Sequence, residues 1–140
     1  MRFPRSSDSI ARPLGSEGVT DCLFCRMVAG EIPADVVLDT DRVLAFRDIN
    51  PQAPTHVLVI PKEHHANAAA LAAADPALLG ELVTTAHTVA RKEGLVGADT
   101  DEPGYRLVTN TGPQAGQSVH HLHLHLLGGR HMGWPPWPAG

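Results

Sequence analysis

An antiparallel α+β fold, in which a sheet packs against helices in two layers, is what this chain predicts, on three observations. Five short segments of strand character, one short helix and one long amphipathic helix follow one another without βαβ alternation. At 140 residues the chain is sized for one domain with a single sizeable core. Residues 120–125 read His-His-Leu-His-Leu-His, so on a strand His121, His123 and His125 line one face while Leu122, Leu124 and Leu126 line the other.

Taken in order, residues 1–20 mix Arg, Pro, Ser, Gly and acidic residues without periodicity, which predicts a flexible N-terminal arm. Asp21 is placed to cap a short helix over 22–29, closed by Gly30, with Leu23, Phe24 and Met27 as its apolar contacts. Pro33 then forces an extended path. Val36 to Asp39 and Arg42 to Arg47 form a hairpin across the turn-prone Asp39-Thr40-Asp41. A proline-bounded loop over 48–54 leads to His56-Val-Leu-Val-Ile60, a near-continuously apolar strand that Pro61 stops.

The long helix runs from Pro76 to about Glu93, with Asp75 as its cap, proline in the first helical position and Gly94 just past its end. Leu78, Leu79, Leu82, Val83, Ala86, Val89 and Ala90 recur at helical spacing and are expected on the sheet, with His87 a structural or solvated neighbour. A polar loop over 94–104 precedes a strand from Tyr105 to Asn110. A glycine-containing loop, 111–118, then feeds the histidine strand, which Gly128-Gly129 ends. The tail from Arg130 carries both tryptophans among prolines and suits an extended segment packed on a neighbouring surface.

Composition narrows the function classes. A net charge of −4 and a pI near 6.1 argue against a surface that coats nucleic acid, because phosphate neutralisation needs clustered Lys and Arg. No apolar run approaches the roughly 18 residues of a membrane span, and the amino terminus lacks an apolar signal core, so the cytoplasm is the expected location. Cys22 and Cys25 are spaced Cys-x-x-Cys, which permits a redox dithiol or half of a zinc site. Polar and glycine-rich residues 15–21 stand where a redox pair would follow a buried strand, so metal is favoured.

The three alternating histidines admit a solvated face, a single metal site or a nucleophilic role. Gly112 and Gly116 let the backbone approach a ligand, and N–H groups around Gly116, Gln117 and Ser118 could cradle phosphate oxygens beside the strand. Neutral imidazole, with an ordinary pKa of about 6.5, attacks phosphorus near pH 7 without a general base. Asp48 could accept hydrogen bonds from both hydroxyls of a ribose.

His121-Leu-His-Leu-His-Leu-Leu127 fits the pattern His-φ-His-φ-His-φφ, with φ apolar. Together with Phe46-Arg-Asp-Ile-Asn-Pro-Gln-Ala-Pro-Thr-His56, Ile60-Pro-Lys-Glu-His64, Ala115-Gly-Gln-Ser118, Leu127-Gly-Gly-Arg130 and Trp134-Pro-Pro136, it resembles the Hint branch of the histidine triad family, in its bacterial zinc-containing type. The resemblance covers roughly residues 21–136. It implies the HIT fold over 21–130, a five-stranded antiparallel sheet packed with one long and one short helix, and a C-terminal tail over 131–140 at a homodimer interface.

The resemblance also implies roles. His123 would be the nucleophile that carries a nucleoside monophosphate, His125 and Ser118 would contact the phosphate or leaving group, and His56 would stand behind the triad. Asn110, Gly116, Gln117 and Ser118 correspond to phosphate-site positions, and Phe24, Met27, Ile32, Phe46 and Ile49 to an apolar slot for the base. Trp134 would shape the partner subunit's site. Cys22, Cys25, His64 and His121 would hold a structural zinc, with His121 bracing metal to triad. The implied activity is hydrolysis of the P–N bond of purine nucleoside 5′-phosphoramidates through a nucleotidyl-histidine. Alternatives are dinucleoside polyphosphate hydrolysis of the Fhit type and a zinc-stabilised nucleotide-binding or interaction module with little turnover. A nucleotidyl transferase is disfavoured because that branch carries glutamine where this chain has His125.

Overall fold

The computed structural model describes residues 21–136; the expected arm over 1–20 and the tail beyond Pro136 lie outside the described residues. Strands β1 (Val36–Asp39), β2 (Val43–Arg47), β3 (Thr55–Pro61), β4 (Tyr105–Val108) and β5 (Leu124–Gly128) make one antiparallel sheet in the order β1-β2-β3-β5-β4. Its helices are α1 (Leu23–Val28), α2 (Ala68–Ala74) and α3 (Pro76–Lys92), with a 3-10 turn at Pro113–Ala115.

Helix α2 was not expected. Its sequence is six alanines around Leu71, which gives high helix propensity but no apolar stripe for a periodicity argument to find. Asn67 caps it by accepting from Ala70 N at 2.9 Å, and Asp75 both ends α2 and caps α3. Helix α1 also starts differently from expectation. Cys22, not Asp21, is the cap, its sulfur accepting from Cys25 N at 3.4 Å.

Alternation along the strands gives the sheet two apolar faces. Val43, Ala45, Val57, Val59, Leu124 and Leu126 point toward Leu71, Leu78, Leu82, Ala86 and Val89 of the two longer helices. On the opposite face Leu44, Phe46, Leu58 and Ile60 pack with Phe24 of α1. Coverage of both faces explains the unbroken apolar run of β3, every residue of which is buried. It also revises the two-layer expectation, because α1 adds a small cover on the far side.

The histidine segment keeps its predicted alternation but not its predicted length. Regular pairing begins only at Leu124, so His121 and His123 lie on an extended lead-in, tied down where Leu122 N donates to the His65 carbonyl at 2.7 Å. Leu122, Leu124 and Leu126 all enter the helix-facing core. Register sets Leu58 opposite His125 and His56 opposite Leu127, which places His56 on the imidazole face.

Polar ties hold α3 across the sheet. Arg47 makes two bonds of 2.9 Å to Glu93, Arg42 reaches Asp75 at 2.9 Å, and Lys92 Nζ donates to the Val37 carbonyl at 2.8 Å. His87 joins α3 to β4 through a 2.8 Å bond between its Nδ1 and the Tyr105 hydroxyl. Val83 departs from the sequence expectation: it is 46% exposed, because it falls at the edge of the stripe that Leu78, Leu82 and Ala86 centre on the sheet. Replacing Leu82 by Ala is expected to cost about 2–5 kcal/mol in a urea titration, whereas Val83→Ala stays within about 0.5 kcal/mol. Equal effects at the two positions would contradict the orientation of α3.

Candidate active site

Four histidines meet on the α1 side of the sheet, and backbone groups fix the proton on three of them, the fourth, His125, being set through His56. His121 is fully buried, and its Nε2–H donates to the Pro61 carbonyl at 2.8 Å, so its Nδ1 carries the lone pair. His123 Nδ1 lies 2.9 Å from the His121 carbonyl. A carbonyl only accepts, so the proton of neutral His123 is on Nδ1 and its Nε2 lone pair is free. The Thr109 hydroxyl fixes the same residue's backbone by donating to the His123 carbonyl at 3.0 Å. Phe24 packs edge-on against both rings, with centroids 5.7 Å from His121 and 5.2 Å from His123.

The other pair is set from the loop between β2 and β3. Gln52 N–H donates to His56 Nδ1 at 3.0 Å, which leaves the His56 proton on Nε2. That atom is 2.9 Å from His125 Nδ1. His125 therefore accepts at Nδ1 and has its own proton on Nε2, available to a ligand. Its ring centroid is 5.0 Å from that of His123. One ring offers a lone pair and its neighbour a donor, the combination needed to attack a phosphorus and hold one of its oxygens.

Electrostatics favour neutral rings in this second pair. Burial lowers the His125 pKa to about 4, with the neighbouring His123 and His56 acting in the same direction and Asp48 opposing them. Burial also lowers that of His56, again against the Asp48 carboxylate, whose Oδ2 lies 3.3 Å from His56 Nδ1. The His125 Nε2–H is thus a hydrogen-bond donor that keeps its proton at neutral pH.

Cys22, Cys25, His64 and His121 bring one ligand atom each to within 4.8 Å of one another. The His121 Nδ1 lone pair faces Cys22 Sγ at 3.3 Å and Cys25 Sγ at 3.5 Å, and His64 Nδ1 lies 3.3 Å from Cys25 Sγ. The S–N edge of a tetrahedral zinc site, from bond lengths of about 2.3 and 2.05 Å, is about 3.5 Å. Donor set and spacing therefore fit zinc, with all four positions taken by the protein. The thiols are poised unequally: hydrogen bonding from Cys25 lowers the Cys22 pKa to about 2 against the effect of burial. The Cys25 thiol is pushed up by donating to Cys22, by burial and by the Cys22 charge. His65, adjacent to His64, turns its ring to Glu63 at 3.2 Å instead.

Other residues singled out in the sequence are placed less simply. Ser118 is exposed and lines a groove of about 380 Å³ with Cys22, His64 and His120, beside the metal cluster. The expected N–H cradle is smaller than predicted, because Gly116 N–H donates to Pro113 O at 3.1 Å and Gln117 N–H to Gly112 O at 3.2 Å. The Gln117 side chain braces the loop, accepting from Gly112 N and donating to the Ala66 and Val119 carbonyls. Asn110 is half-buried, just after β4.

The five apolar residues expected to hold a base do not converge. Phe24 and Phe46 are buried as an edge-to-face pair with centroids 5.6 Å apart, while Met27 and Ile32 line a separate groove of about 300 Å³ with Leu44. Ile49 is 99% exposed and Trp134 82% exposed. Gln52 and Thr109 hold two of these histidines and were not singled out by the sequence. The first acts through its backbone, which leaves no side-chain signal, and the second through an ordinary strand-end hydroxyl.

The shift at His125 has a checkable consequence. With a folded pKa below the ordinary 6.5, the unfolded chain binds more protons between those values, so this group costs stability as pH falls through the window from 6.5 to about 4. Ring NMR is expected to give His125 a midpoint near 4, and Asp48→Asn to move the His125 and His56 midpoints down further. A His125 midpoint near 6.5 would contradict the burial assigned to it.

Comparisons with known proteins place this fold and sequence in a known family. A family model described as the HIT domain matches residues 29–132. A 14 kDa zinc-binding protein of Zea mays is 50% identical over 117 residues, covering 81% of this chain and 86% of that protein. An adenylylsulfatase of Arabidopsis thaliana is 47% identical over 117 residues, covering 81% of this chain and 75% of that protein. A solved HIT family hydrolase from Legionella pneumophila matches with a TM-score of 0.76 and 52% identity, covering 83% of this chain and 99% of that one. The chain belongs to the HIT, or histidine triad, family.

Proposed function

We propose that the protein is a nucleotide-binding hydrolase that cleaves the P–N bond of purine nucleoside 5′-phosphoramidates through a nucleotidyl-histidine. The observation that carries this is the 2.9 Å bond from His123 Nδ1 to the His121 carbonyl, which leaves Nε2 as a free nucleophile beside the His125 donor. His123 Nε2 attacks phosphorus, forming an N–P bond as the bond to the leaving nitrogen breaks. The amine departs carrying a proton from water. The imidazolium formed on His123 keeps Nδ1–H on the His121 carbonyl, while His125 Nε2–H and Ser118 hold phosphoryl oxygens. Water then attacks phosphorus, giving its proton to the hydroxide left by the first step, and His123 leaves with its lone pair restored.

Asp48 is assigned the ribose hydroxyls and Phe24 with Phe46 the near wall of the base site. We assign Cys22, Cys25, His64 and His121 to zinc. The ion would supply a structural tie among these four residues, and His121 would pass its rigidity to the carbonyl that orients His123. Residues 21–130 form the catalytic unit, and the tail over 131–140 lies at a homodimer interface, which gives the exposed Trp134 a surface to cover. No helix among the described residues is long and apolar enough to cross a membrane, in keeping with the proposed cytoplasmic location. A second reading, cleavage of an adenylyl–sulfate linkage by the same attack, is favoured by the name of the Arabidopsis relative.

Incubation with an adenosine 5′-phosphoramidate, quenched without acid, is expected to leave adenylate on His123. His123→Ala is expected to lower kcat/KM by at least about 10³-fold. Full turnover in that variant would refute the nucleophile. Metal analysis is expected to find about one zinc per chain, and Cys22→Ser to reduce the metal and lower Tm by more than about 5 °C. Metal-free protein with an unchanged Tm would contradict the zinc assignment.

A further inference from the structure

The Cys-x-x-Cys spacing admits redox as well as metal chemistry, and the fold leaves both open at the same two sulfurs. Cys22 and Cys25 are free thiols, each partly exposed, with sulfurs within 4.8 Å of one another. They flank the first turn of α1, where Arg26 N–H donates to the Cys22 carbonyl at 3.0 Å. Positions three apart on such a turn have α-carbons about 5 Å apart, inside the window of about 4.4–6.8 Å that a disulfide bridges. Rotation of the two side chains is therefore enough to join the sulfurs. Cys22 is the one a small solute reaches first, because it lines the groove of about 380 Å³ with Ser118, Val119 and His120, and Cys25 does not.

Both sulfurs also face His121, whose Nδ1 lies 3.3 Å from Cys22 Sγ and 3.5 Å from Cys25 Sγ. We infer that Cys22 and Cys25 are a reversible oxidation site for a small peroxide, and that closing their disulfide dismantles the metal cluster and releases the His121 ring. The Cys22 sulfur, as thiolate, attacks one peroxide oxygen; the O–O bond breaks and hydroxide leaves, giving a sulfenic acid on Cys22. The Cys25 sulfur then attacks the Cys22 sulfur and expels that hydroxyl group, which departs as water with the Cys25 proton. The hydroxide takes the proton that Cys22 gave up, so the two thiols lose two electrons to the peroxide and two waters form. A disulfide offers a metal no thiolate, and His64 with His121 cannot close a tetrahedral site between them. His121 keeps its Nε2–H on the Pro61 carbonyl but loses both thiols at Nδ1. The carbonyl that sets the His123 proton is then tied down through one ring nitrogen instead of two.

This chemistry depends on the cluster and not on the reaction assigned to His123. The test treats the full chain, loaded with zinc, with sub-millimolar hydrogen peroxide. The expected product is lighter by two hydrogens, carries a Cys22–Cys25 cross-link in its peptide map, and releases about one zinc per chain to a chromogenic chelator. The His121 and His123 ring ¹⁵N signals are expected to shift while those of His87 stay in place, and dithiothreitol with zinc is expected to reverse every change. Cys25→Ser, which lacks the resolving thiol, is expected to stop at a sulfenic acid that dimedone traps; should that variant fail to fold, the mass and zinc readouts on the unaltered chain still decide. In the oxidised protein kcat is expected to fall at least about tenfold. Oxygen gained without the cross-link, or a cross-link with zinc retained, overturns the oxidation site. Absence of phosphoramidate turnover in the reduced protein overturns the hydrolase instead and leaves the mass, zinc and ring readouts standing.

Discussion

The hydrogen bond from His123 Nδ1 to the carbonyl of His121 is the interaction on which the rest of the site depends. It decides which nitrogen of the middle histidine bears the lone pair, and so decides whether the ring can act as a nucleophile at all. The carbonyl is itself held in place, because the His121 side chain is locked between the Pro61 carbonyl at Nε2 and two thiols at Nδ1. The candidate metal cluster and the proposed nucleophile are therefore two positions apart in a single chain of constraints. This explains how a closed, four-ligand zinc site would matter to activity without touching substrate.

A second constraint comes from packing. The run from His121 to Leu126 must put every leucine into the core beneath α3 while keeping every imidazole on the opposite face, and a shift by one residue would bury the imidazoles and expose the leucines. Arg47 with Glu93 and Arg42 with Asp75 anchor the two ends of α3 to the sheet. The helix that receives the leucines thus also fixes the height of the imidazoles above the sheet.

Much of this was legible in the sequence, and the remainder was hidden for identifiable reasons. Alternation in the histidine segment, the caps of α3 and the proline-bounded loop before β3 all announce themselves locally. So does the donor chemistry of Cys22, Cys25, His64 and His121, once their common site is suspected. The partnership of His56 with His125 spans 69 positions and follows from strand register, which spacing does not reveal. Helix α2 escaped because alanine carries propensity without pattern. The loop at Gly116 and Gln117 looked like a phosphate cradle because its composition permits open N–H groups. Whether they open outward depends on turn hydrogen bonds to Pro113 and Gly112 that composition does not specify.

Ile49 illustrates a related limit. An isoleucine between a buried strand and a proline loop suggests an apolar wall, yet its side chain stands in solvent, where only a ligand or partner surface could cover it. Positions of that kind take their meaning from what binds, while the imidazole protons are set by the fold itself. The most direct test is therefore the tautomer of each ring, read by ¹⁵N NMR of histidine-labelled protein at a pH where the rings are neutral. The expected spectrum has His123 protonated at Nδ1, with His121, His56 and His125 protonated at Nε2. A proton on His123 Nε2 would remove the nucleophile and contradict the central claim.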